Sequence, residues 1–516
     1  MKRFASVAIL AASAAFLPWV VSAQSLTVGL AASTTSMDPQ FYVVGPNSAM
    51  ARNIFDGLVN QDDKQQIQPA LAVSWKVIDD TTWEFRLREG VTFHDGSDFT
   101  AEDVVASLNR VPMASKNSPS SFMPYVKAIT SVEAVDPLTV RITTAAPTPL
   151  LPNDLSRIAI LPAEDAEVTT EEMNAGKGVI GTGPFEFVSW VPDSEVKVTR
   201  NDAYWAGPAA WEEVTFKVFK NNSARVAAML SGDVDMIESI PTADTRRLKS
   251  ADDLKVVSVA GNRVMYLHMD QGREVSPFAT GPDGKNPLRD ARVRRALSLS
   301  LNREAIVDRI MDGQGVPAGQ LVPEGYFGYD PSIKVDPYDP AKAKELLAEA
   351  GYPDGFKLTF HASNDRYPND SRVAQAIGQF FSRIGIDTSV ETLPASVYFS
   401  RASNLEFSFI MGGAAVETGE ASGVLGPLLE TYGDSAGRGN RGRYSNPDFD
   451  AALQQARQTL DAPRRRDLLQ KATRIAMTDL GVIPVFYLAN TWALEDGLSY
   501  PGRSDGYTLA YEVTAE

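Results

Sequence analysis

Two kinds of periodicity alternate along this chain, and they limit its fold more than any other feature. The segment "TWEFRLREGVTF" places apolar Trp83, Phe85 and Leu87 at alternate positions, with polar or charged residues between them. This is the pattern of a half-buried strand. The same spacing recurs in "LTVRIT", "GPFEFVSW", "SEVKVTR" and "VTFKVF". Strand patterns therefore dominate up to about residue 220.

Helical spacing dominates the rest of the chain. It is present in "NSARVAAMLSGDVD", "ARVRRALSLSLNREAIVDRIM", "PAKAKELLAEAGY", "DSRVAQAIGQFFSRIG" and "RRRDLLQKATRIAMTDLG". Two of these helices run into a glycine before a strand pattern: Gly351 before "FKLTFHA", and Gly385 before "IDTSVETL". Such helix–loop–strand transitions are typical of α/β domains. The sequence predicts an α/β protein with two dissimilar lobes.

The first 23 residues have the pattern of a secretory signal peptide. A basic pair precedes the uncharged apolar run of residues 4–21, which ends in the small-x-small box "VSA". We expect cleavage between Ala23 and Gln24 and export to the periplasm. A transmembrane anchor is the alternative, and the cleavage box together with Pro18 argues against it.

Length, charge and cysteine content narrow the class of protein. A chain of 516 residues is too long for one core and indicates two or three domains. The formal net charge of −16 disfavours nucleic acid and anionic lipid as partners. Because the chain has no cysteine, an exported form must be held by its hydrophobic cores and not by disulfides.

The stretch "VTFHDGSDFTAEDV" concentrates acidic residues around His94, one of only three histidines. A metal or acid–base site is one interpretation. We favour a structural role, because Thr100 stands at a helix N-cap position with Asp103 as its capping-box partner. The other histidines, His268 and His361, are far away and have no metal-ligand spacing. We expect neither a metal nor a cofactor.

A secreted hydrolase is the alternative from another functional class. The segment "GDSAG" fits the nucleophile elbow G-x-S-x-G, which requires a buried strand before it and a helix after it. The following "RGNRGRYSNP" is loop-like, so Ser435 is expected to be a surface serine, and serine-directed labelling would test this. The segment "GKGVIG" fits a dinucleotide fingerprint but opens a strand and not a helix. No catalytic residue is predicted.

The segment "WEFRLREGVTFHDGSDFTAEDVVASLNR" closely resembles the signature region of bacterial solute-binding protein family 5, the dipeptide-, oligopeptide- and nickel-binding components of ABC importers. The resemblance continues, in the family's order, through "GTGPFEFVSW", "RNDAYWAGP", "RVAAMLSGDVDMI", "LRDARVRRALSLSLNREAIVDRI", "YDPAKAKELLAEAGYPDGFKLTF", "RYSNPDFDAALQQAR" and "LGVIPVFY". It implies a type II periplasmic-binding-protein fold, in which two lobes close over a ligand.

The resemblance also implies three domains that are discontinuous in sequence. After the signal peptide (1–23), the expected ranges are 24–53, 180–270 and 485–516 for the core of lobe I, 54–179 for a domain inserted into lobe I, and 271–484 for lobe II. The ligand is expected in the cleft between the lobes, and closure is expected to be a hinge motion.

One loop is expected to bind a ligand carboxylate. In dipeptide binders an Arg followed closely by a Tyr, after a strand of the second lobe, meets the peptide carboxylate. The segment "HASNDRYPND" offers Arg366 and Tyr367 in the corresponding loop, and a guanidinium can bind a carboxylate through two hydrogen bonds. The alternative is a surface Arg366 paired with Asp365 or Asp370. Tyr398 matches an aromatic residue near the same cleft, but core packing explains it equally well.

The expected amine site departs from the family. Dipeptide binders carry an Asp-Pro-Asp type loop after a strand that ends in Gly-Trp. Here "EFSFIMGG" ends with Gly413 in place of the Trp, and "AAVETGEASGVL" follows. Glu417 or Glu420 can meet an ammonium group, or both can be ordinary carboxylates at a helix start. The departure leaves room for ligands other than plain peptides.

The loop after the first strand pattern, with Ser33, Thr34 and Thr35, is the candidate in lobe I for backbone and hydroxyl contacts. The expected protein is a monomer that captures a short peptide and delivers it to inner-membrane permease subunits, which work with cytoplasmic ATP-binding subunits. Opines, modified amino acids and metal chelates are alternative ligands. A scaffold or chaperone would be distinguished by the absence of a saturable small ligand.

Overall fold

The computed structural model describes residues 25–516. The expected signal peptide and its cleavage site at Ala23 and Gln24 lie outside these residues. Within them, no helix has both the length and the apolar character needed to cross a membrane.

The first part of the chain is mainly β-structure, as the period-two patterns predict. Its strands are β1 (Ser25–Leu30), β2 (Val59–Gln61), β3 (Ile67–Pro69), β4 (Ala72–Asp79), β5 (Thr82–Leu87), β6 (Ile129–Asp136), β7 (Thr139–Thr144), β8 (Phe185–Val191), β9 (Glu195–Arg200) and β10 (Glu213–Val218). Its helices are α1 (Gly45–Ile54), α2 (Ala101–Ala114), α3 (Met123–Val126), α4 (Leu151–Leu155) and α5 (Thr170–Asn174), with a 3₁₀ turn at Ala163–Asp165.

Helices are longer and more frequent afterwards. They are α6 (Asn222–Leu230), α7 (Thr245–Lys249), α8 (Ala291–Leu299), α9 (Arg303–Arg309), α10 (Pro340–Glu349), α11 (Asp370–Arg383), α12 (Ala395–Ser403), α13 (Ser422–Leu429), α14 (Pro447–Gln458) and α15 (Ala462–Asp479). The strands are β11 (Met236–Glu238), β12 (Leu254–Met269), β13 (Ala279–Thr280), β14 (Gly315–Pro317), β15 (Lys357–Ser363), β16 (Asp387–Leu393), β17 (Phe409–Ala415), β18 (Val482–Glu495), β19 (Leu498–Ser499) and β20 (Thr514–Ala515).

One mixed sheet of twelve strands runs through the molecule. Its order is β13-β15-β17-β12-β18-β11-β1-β10-β9-β8, with β14 joined to β18 and β16 joined to β15. β1 pairs in parallel with β10 and β11, and β15 pairs in parallel with β16 and β17. The two long central strands, β12 and β18, are antiparallel.

The central strands β12 and β18 join two lobes with separate cores. Phe486 of β18 packs in the helix-rich core of lobe II, whereas Trp492 of the same strand packs in the lobe I core beside β1 and β10. The register of the β12–β18 pair shifts between Ala260 and Val264, and such an irregularity bends a strand. The expected two-lobed α/β architecture is confirmed.

Lobe II has apolar cores on both faces of the sheet. Helices α8 to α11 cover one face, and helices α13 to α15 cover the other. The sequence suggested helical spacing throughout residues 291–311, but the structure divides this stretch into α8 and α9. The division follows from Asn302, whose side chain accepts a hydrogen bond from the Ala305 backbone and so starts a new helix.

A four-stranded antiparallel sheet, β4-β5-β7-β6, forms a separate layer in lobe I. Trp83, Phe85 and Leu87 of β5 are buried, as their alternation predicts. The core of this layer is built from residues between Leu58 and Ile160, inside the expected inserted domain. The domain boundaries themselves stay predictions.

His94 has a structural environment. Its Nε2 lies 3.0 Å from the Gly183 carbonyl oxygen, and the Gly181 backbone donates to its Nδ1 at 3.2 Å. The capping box at the start of α2 is present, with the Thr100 backbone donating to the Asp103 carboxylate at 2.7 Å. His94 therefore ties the inserted domain to the segment that leads into β8.

Buried His268 should make the folded state sensitive to acid. Burial, with a smaller effect from the Arg441 charge, lowers the pKa of His268 to about 3, whereas an unfolded histidine has a pKa of about 6.5. The unfolded state therefore binds the proton first as pH falls, and stability is lost below about pH 6.5. Between pH 7 and pH 5 this group should remove about 2 kcal/mol from the free energy of unfolding.

Urea unfolding at both pH values measures this loss. The variant His268→Leu should lose less stability between pH 7 and pH 5 than the unmodified protein. The same loss in both proteins would show that His268 is not the responsible group.

Candidate functional site

A polar cavity of about 570 Å³ lies between the lobes beside the bend in β12 and β18. This volume is within the range of small-ligand sites. Lobe I, the hinge strands and lobe II all contribute to its wall, including Ala31, Glu238, Asn262, Arg263, Asn490, Pro368 and Asn369.

The predicted carboxylate-binding loop lies directly beside this cavity. Arg366 is exposed, and its guanidinium carbon is 5.1 Å from the centre of the Tyr367 ring. Asp370 accepts hydrogen bonds from the backbones of Arg366 and Tyr367, at 3.1 and 3.2 Å, and Asp365 accepts from Ala395. Among residues 25–516 the Arg366 side chain has no ion pair, so the alternative pairing with Asp365 or Asp370 is not formed.

Tyr367 explains the glycine that departs from the family pattern. The Tyr367 hydroxyl lies 3.3 Å from the Gly413 carbonyl oxygen and donates to it. A Cβ at position 413 would lie 2.9 Å from both the Tyr367 ring and the Met265 sulfur. A tryptophan side chain therefore has no room at position 413, because the Tyr367 ring fills the space beside it.

Sequence reasoning missed Arg263, which lies at the bend of β12. Its guanidinium carbon is 6.0 Å from the centre of the Tyr367 ring. Burial is the main cause that lowers the pKa of Arg263, and the nearby Arg366 charge adds to it. Two signals were available in the sequence: Gly261 inside a strand pattern, which marks a bulge, and a charged residue before the apolar run "VMYLHM".

Of the two carboxylates predicted for the amine site, Glu417 is the one that is accessible to solvent. Its side chain is 49% exposed and lies 3.8 Å from the Arg157 guanidinium of the inserted domain. Arg157 also donates to the Glu417 carbonyl oxygen and to the Tyr507 hydroxyl. Glu417 thus extends from lobe II to lobe I at the edge of the cleft.

Glu420 has an internal partner. Its carboxylate is 2.9 Å from Arg465, and both side chains are largely buried. The Ser422 hydroxyl donates to it at 2.7 Å, and burial raises the pKa of Glu420. A ligand amine would have to displace Arg465, so Glu417 is the better candidate.

Tyr398 is fully buried. Its hydroxyl donates to the Met411 carbonyl oxygen at 2.6 Å, and its ring stacks on Phe407 with centres 5.8 Å apart. These contacts agree with the core-packing interpretation, and a ligand contact by Tyr398 stays an unsupported prediction.

The hydroxyls predicted in lobe I have mixed environments. Ser33 donates to the Thr34 carbonyl oxygen and accepts from the Asp193 backbone. Thr34 is buried, and its hydroxyl has no partner within residues 25–516. Thr35 is exposed and contacts Asn47. Their contact with a ligand stays a prediction.

A buried ion pair anchors this loop. Asp38 pairs with Arg110 of α2 through two hydrogen bonds of 2.9 Å, and both side chains are 0% exposed. The Thr170 hydroxyl also donates to Asp38, at 2.6 Å. The position of the loop after β1 is therefore fixed by the inserted domain.

A second cavity of about 430 Å³ is mostly apolar and lies on the other face of β18. Tyr487 lines this second cavity, and the next residue, Leu488, lines the polar one; adjacent strand residues point to opposite faces. None of the predicted ligand-binding residues lines the second cavity. None of them lines the polar cavity directly, but Pro368 and Asn369, which follow Arg366 and Tyr367 in the chain, do, and the polar cavity is therefore the candidate site.

Two lobes that are joined by bent strands and enclose a polar cavity define a protein that captures a small ligand by hinge closure. Residues 66–436 match the family description "bacterial extracellular solute-binding proteins, family 5 Middle". The chain belongs to this family, and it is a substrate-binding component of ABC importers with the expected type II fold.

Three comparisons illustrate the relationship. Heme-binding protein A of Haemophilus influenzae is 30% identical over 506 residues, which cover 91% of this chain and 88% of that protein. Glutathione-binding protein GsiB of Pectobacterium atrosepticum is 30% identical over 467 residues, with coverages of 88% and 86%. The solved structure of the periplasmic murein tripeptide binding protein MppA, in an unliganded open form, has a TM-score of 0.81 and 25% identity, with coverages of 96% and 97%.

Proposed function

We propose that this protein binds short peptides in the periplasm as a monomer. It delivers them unchanged to inner-membrane permease subunits that work with cytoplasmic ATP-binding subunits. The observation that carries the proposal is the exposed, unpaired Arg366 beside Tyr367, with the accessible carboxylate of Glu417 at the edge of the cleft.

The two charges suit the two ends of a peptide. A zwitterion that enters a closing cleft loses its hydration, so each end needs an opposite charge. Arg366 supplies the cation for the terminal carboxylate, and Glu417 supplies the anion for the terminal ammonium. Tyr367 holds the loop of Arg366 against β17, the strand that precedes Glu417, through its hydrogen bond to Gly413.

Two of the compared proteins are named for peptide ligands, glutathione and a murein tripeptide. Opines and modified amino acids share the same end groups and are the second candidates. A chelated metal would have to bring its own ligands, because residues 25–516 contain no cluster of three His, Cys, Asp or Glu side chains able to hold one.

A hydrolytic function has no support from Ser435. This serine is exposed and lies in the loop between α13 and α14. A nucleophile elbow would require a strand directly before it and a helix directly after it.

Native mass spectrometry of protein purified without unfolding should detect a bound mass that corresponds to a short peptide. Calorimetric titration with di- and tripeptides should then show saturable 1:1 binding. The matched control is the C-terminal amide of each peptide, which lacks the charge for Arg366 and should bind more weakly. Absence of saturable binding, or equal binding of acids and amides, would overturn the proposal.

A further inference from the structure

We propose that Arg263 forms a second anion position in the cleft, so that the preferred ligand is a peptide with an acidic group besides its terminal carboxylate. This inference rests on the proposed function and specifies the substrate class of the same site.

The first observation is that the Arg263 guanidinium has no direct partner among the described residues. It is partly buried and lines the polar cavity. Among the residues that the structure describes, its guanidinium takes part in no hydrogen bond or ion pair. Its guanidinium carbon lies 6.0 Å from the centre of the Tyr367 ring, and the guanidinium carbon of Arg366 lies 5.1 Å from the centre of the same ring. One aromatic ring thus contacts two unpaired guanidinium groups.

The second observation is that the carboxylates around the cleft already have partners. Asp505 pairs with Arg503. Glu238 accepts hydrogen bonds from the Ala31 backbone and the Thr508 hydroxyl. Arg366 repels Arg263, and Glu417 attracts it without forming an ion pair with it. Glu417 lies 3.8 Å from Arg157 and is assigned to the ligand ammonium in the proposed function, so it leaves Arg263 unpaired.

The third observation concerns the local charge. The whole chain has a net charge of −16, yet two guanidinium groups without an ion pair, those of Arg263 and Arg366, lie over the same Tyr367 ring. Arg263 and Arg366 are therefore two unpaired cations beside the polar cavity, and one terminal carboxylate can pair with only one of them.

Closure of the lobes makes an unpaired guanidinium in the cleft costly. Closure removes water from the cleft, and a guanidinium without an anion then loses hydration with no compensation. A ligand with one carboxylate can satisfy Arg366 and leaves Arg263 unpaired. A second acidic group provides the missing charge-assisted hydrogen bonds.

Isosteric tripeptides test the inference. Glutamate and glutamine differ in charge but hardly in shape, so each position of Ala-Ala-Ala is replaced in turn by Glu and by Gln, and the dissociation constants are measured by calorimetry. At one position or more the Glu peptide should bind about tenfold or more tighter than its Gln counterpart, as expected for hydrogen bonds to a charged group.

The variant Arg263→Gln should reduce this Glu-over-Gln preference to about twofold or less. Arg383→Gln is the matched control, because Arg383 is exposed at the far end of α11 and also lies over an aromatic ring, that of Phe380 at 5.4 Å. The control should keep the full preference. Urea unfolding confirms that both variants are folded.

Equal binding of Glu and Gln peptides at all three positions would overturn the second anion position and leave the proposed function standing. So would a preference that persists in Arg263→Gln. If no peptide of either kind binds, the proposed function fails, and this inference fails with it.

Discussion

Replacing Arg366 with glutamine is expected to weaken the binding of a free-acid peptide by about thirtyfold or more. Removing one partner of a buried ion pair typically costs about 2–5 kcal/mol, and about 1.4 kcal/mol corresponds to a tenfold change in affinity. Arg366 is exposed in this structure, so the cost arises when closure buries it against the ligand. Calorimetric titration of the tightest-binding peptide with the variant measures the effect.

Arg383→Gln is the control for Arg366→Gln as well. It removes one positive charge from lobe II, as Arg366→Gln does, but at a position outside the cleft. The C-terminal amide of the peptide should lose little further affinity in Arg366→Gln, since its missing charge and the missing guanidinium belong to one interaction. An unchanged affinity for the free acid would place Arg366 outside the site and remove the main support for a carboxylate ligand.

The variant Asp38→Ala is expected to lower the free energy of unfolding by about 3–5 kcal/mol. The reason is that Arg110 would keep its charge in a site where both side chains are 0% exposed, and an uncompensated buried charge is strongly destabilising. Urea unfolding at pH 7 measures the change.

The control for Asp38→Ala is Glu345→Ala, which removes an exposed ion pair with Lys342 on α10. Surface pairs contribute about 1 kcal/mol or less, so the control should be nearly as stable as the unmodified protein. If Asp38→Ala cost no more than the control, the loop after β1 would not depend on this buried pair.

Most of the secondary structure could be predicted from local sequence patterns. The alternation of Trp83, Phe85 and Leu87 predicted β5 and its buried face because strand side chains point to alternate sides. Gly351 and Gly385 both adopt positive φ, +94° and +101°, where glycine is strongly favoured. These features depend on neighbours in sequence, so the sequence alone was sufficient.

The charge pairs of the site depend on residues far apart in sequence. Nothing in the segment around Glu420 shows that Arg465 lies against it, and the sequence therefore left Glu417 and Glu420 equivalent. Arg263 was missed for the same reason, because its proximity to Tyr367 arises only when β12 pairs with β17 and the loop after β15 packs on β17.

The position of β11 between β1 and β18 in the sheet has a consequence for the order of folding. The lobe I core combines Val28 near one end of the chain with Trp492, Tyr500 and Val513 near the other. The buried residues of both lobe II cores, in contrast, all lie between 264 and 487. Because synthesis proceeds from the N-terminus and distant contacts are slow to form, lobe II can be completed first. The β1 strand can pair with β10 and β11, which precede lobe II in the chain, but the lobe I core is completed only by the last residues. The cleft is therefore assembled at the end of folding.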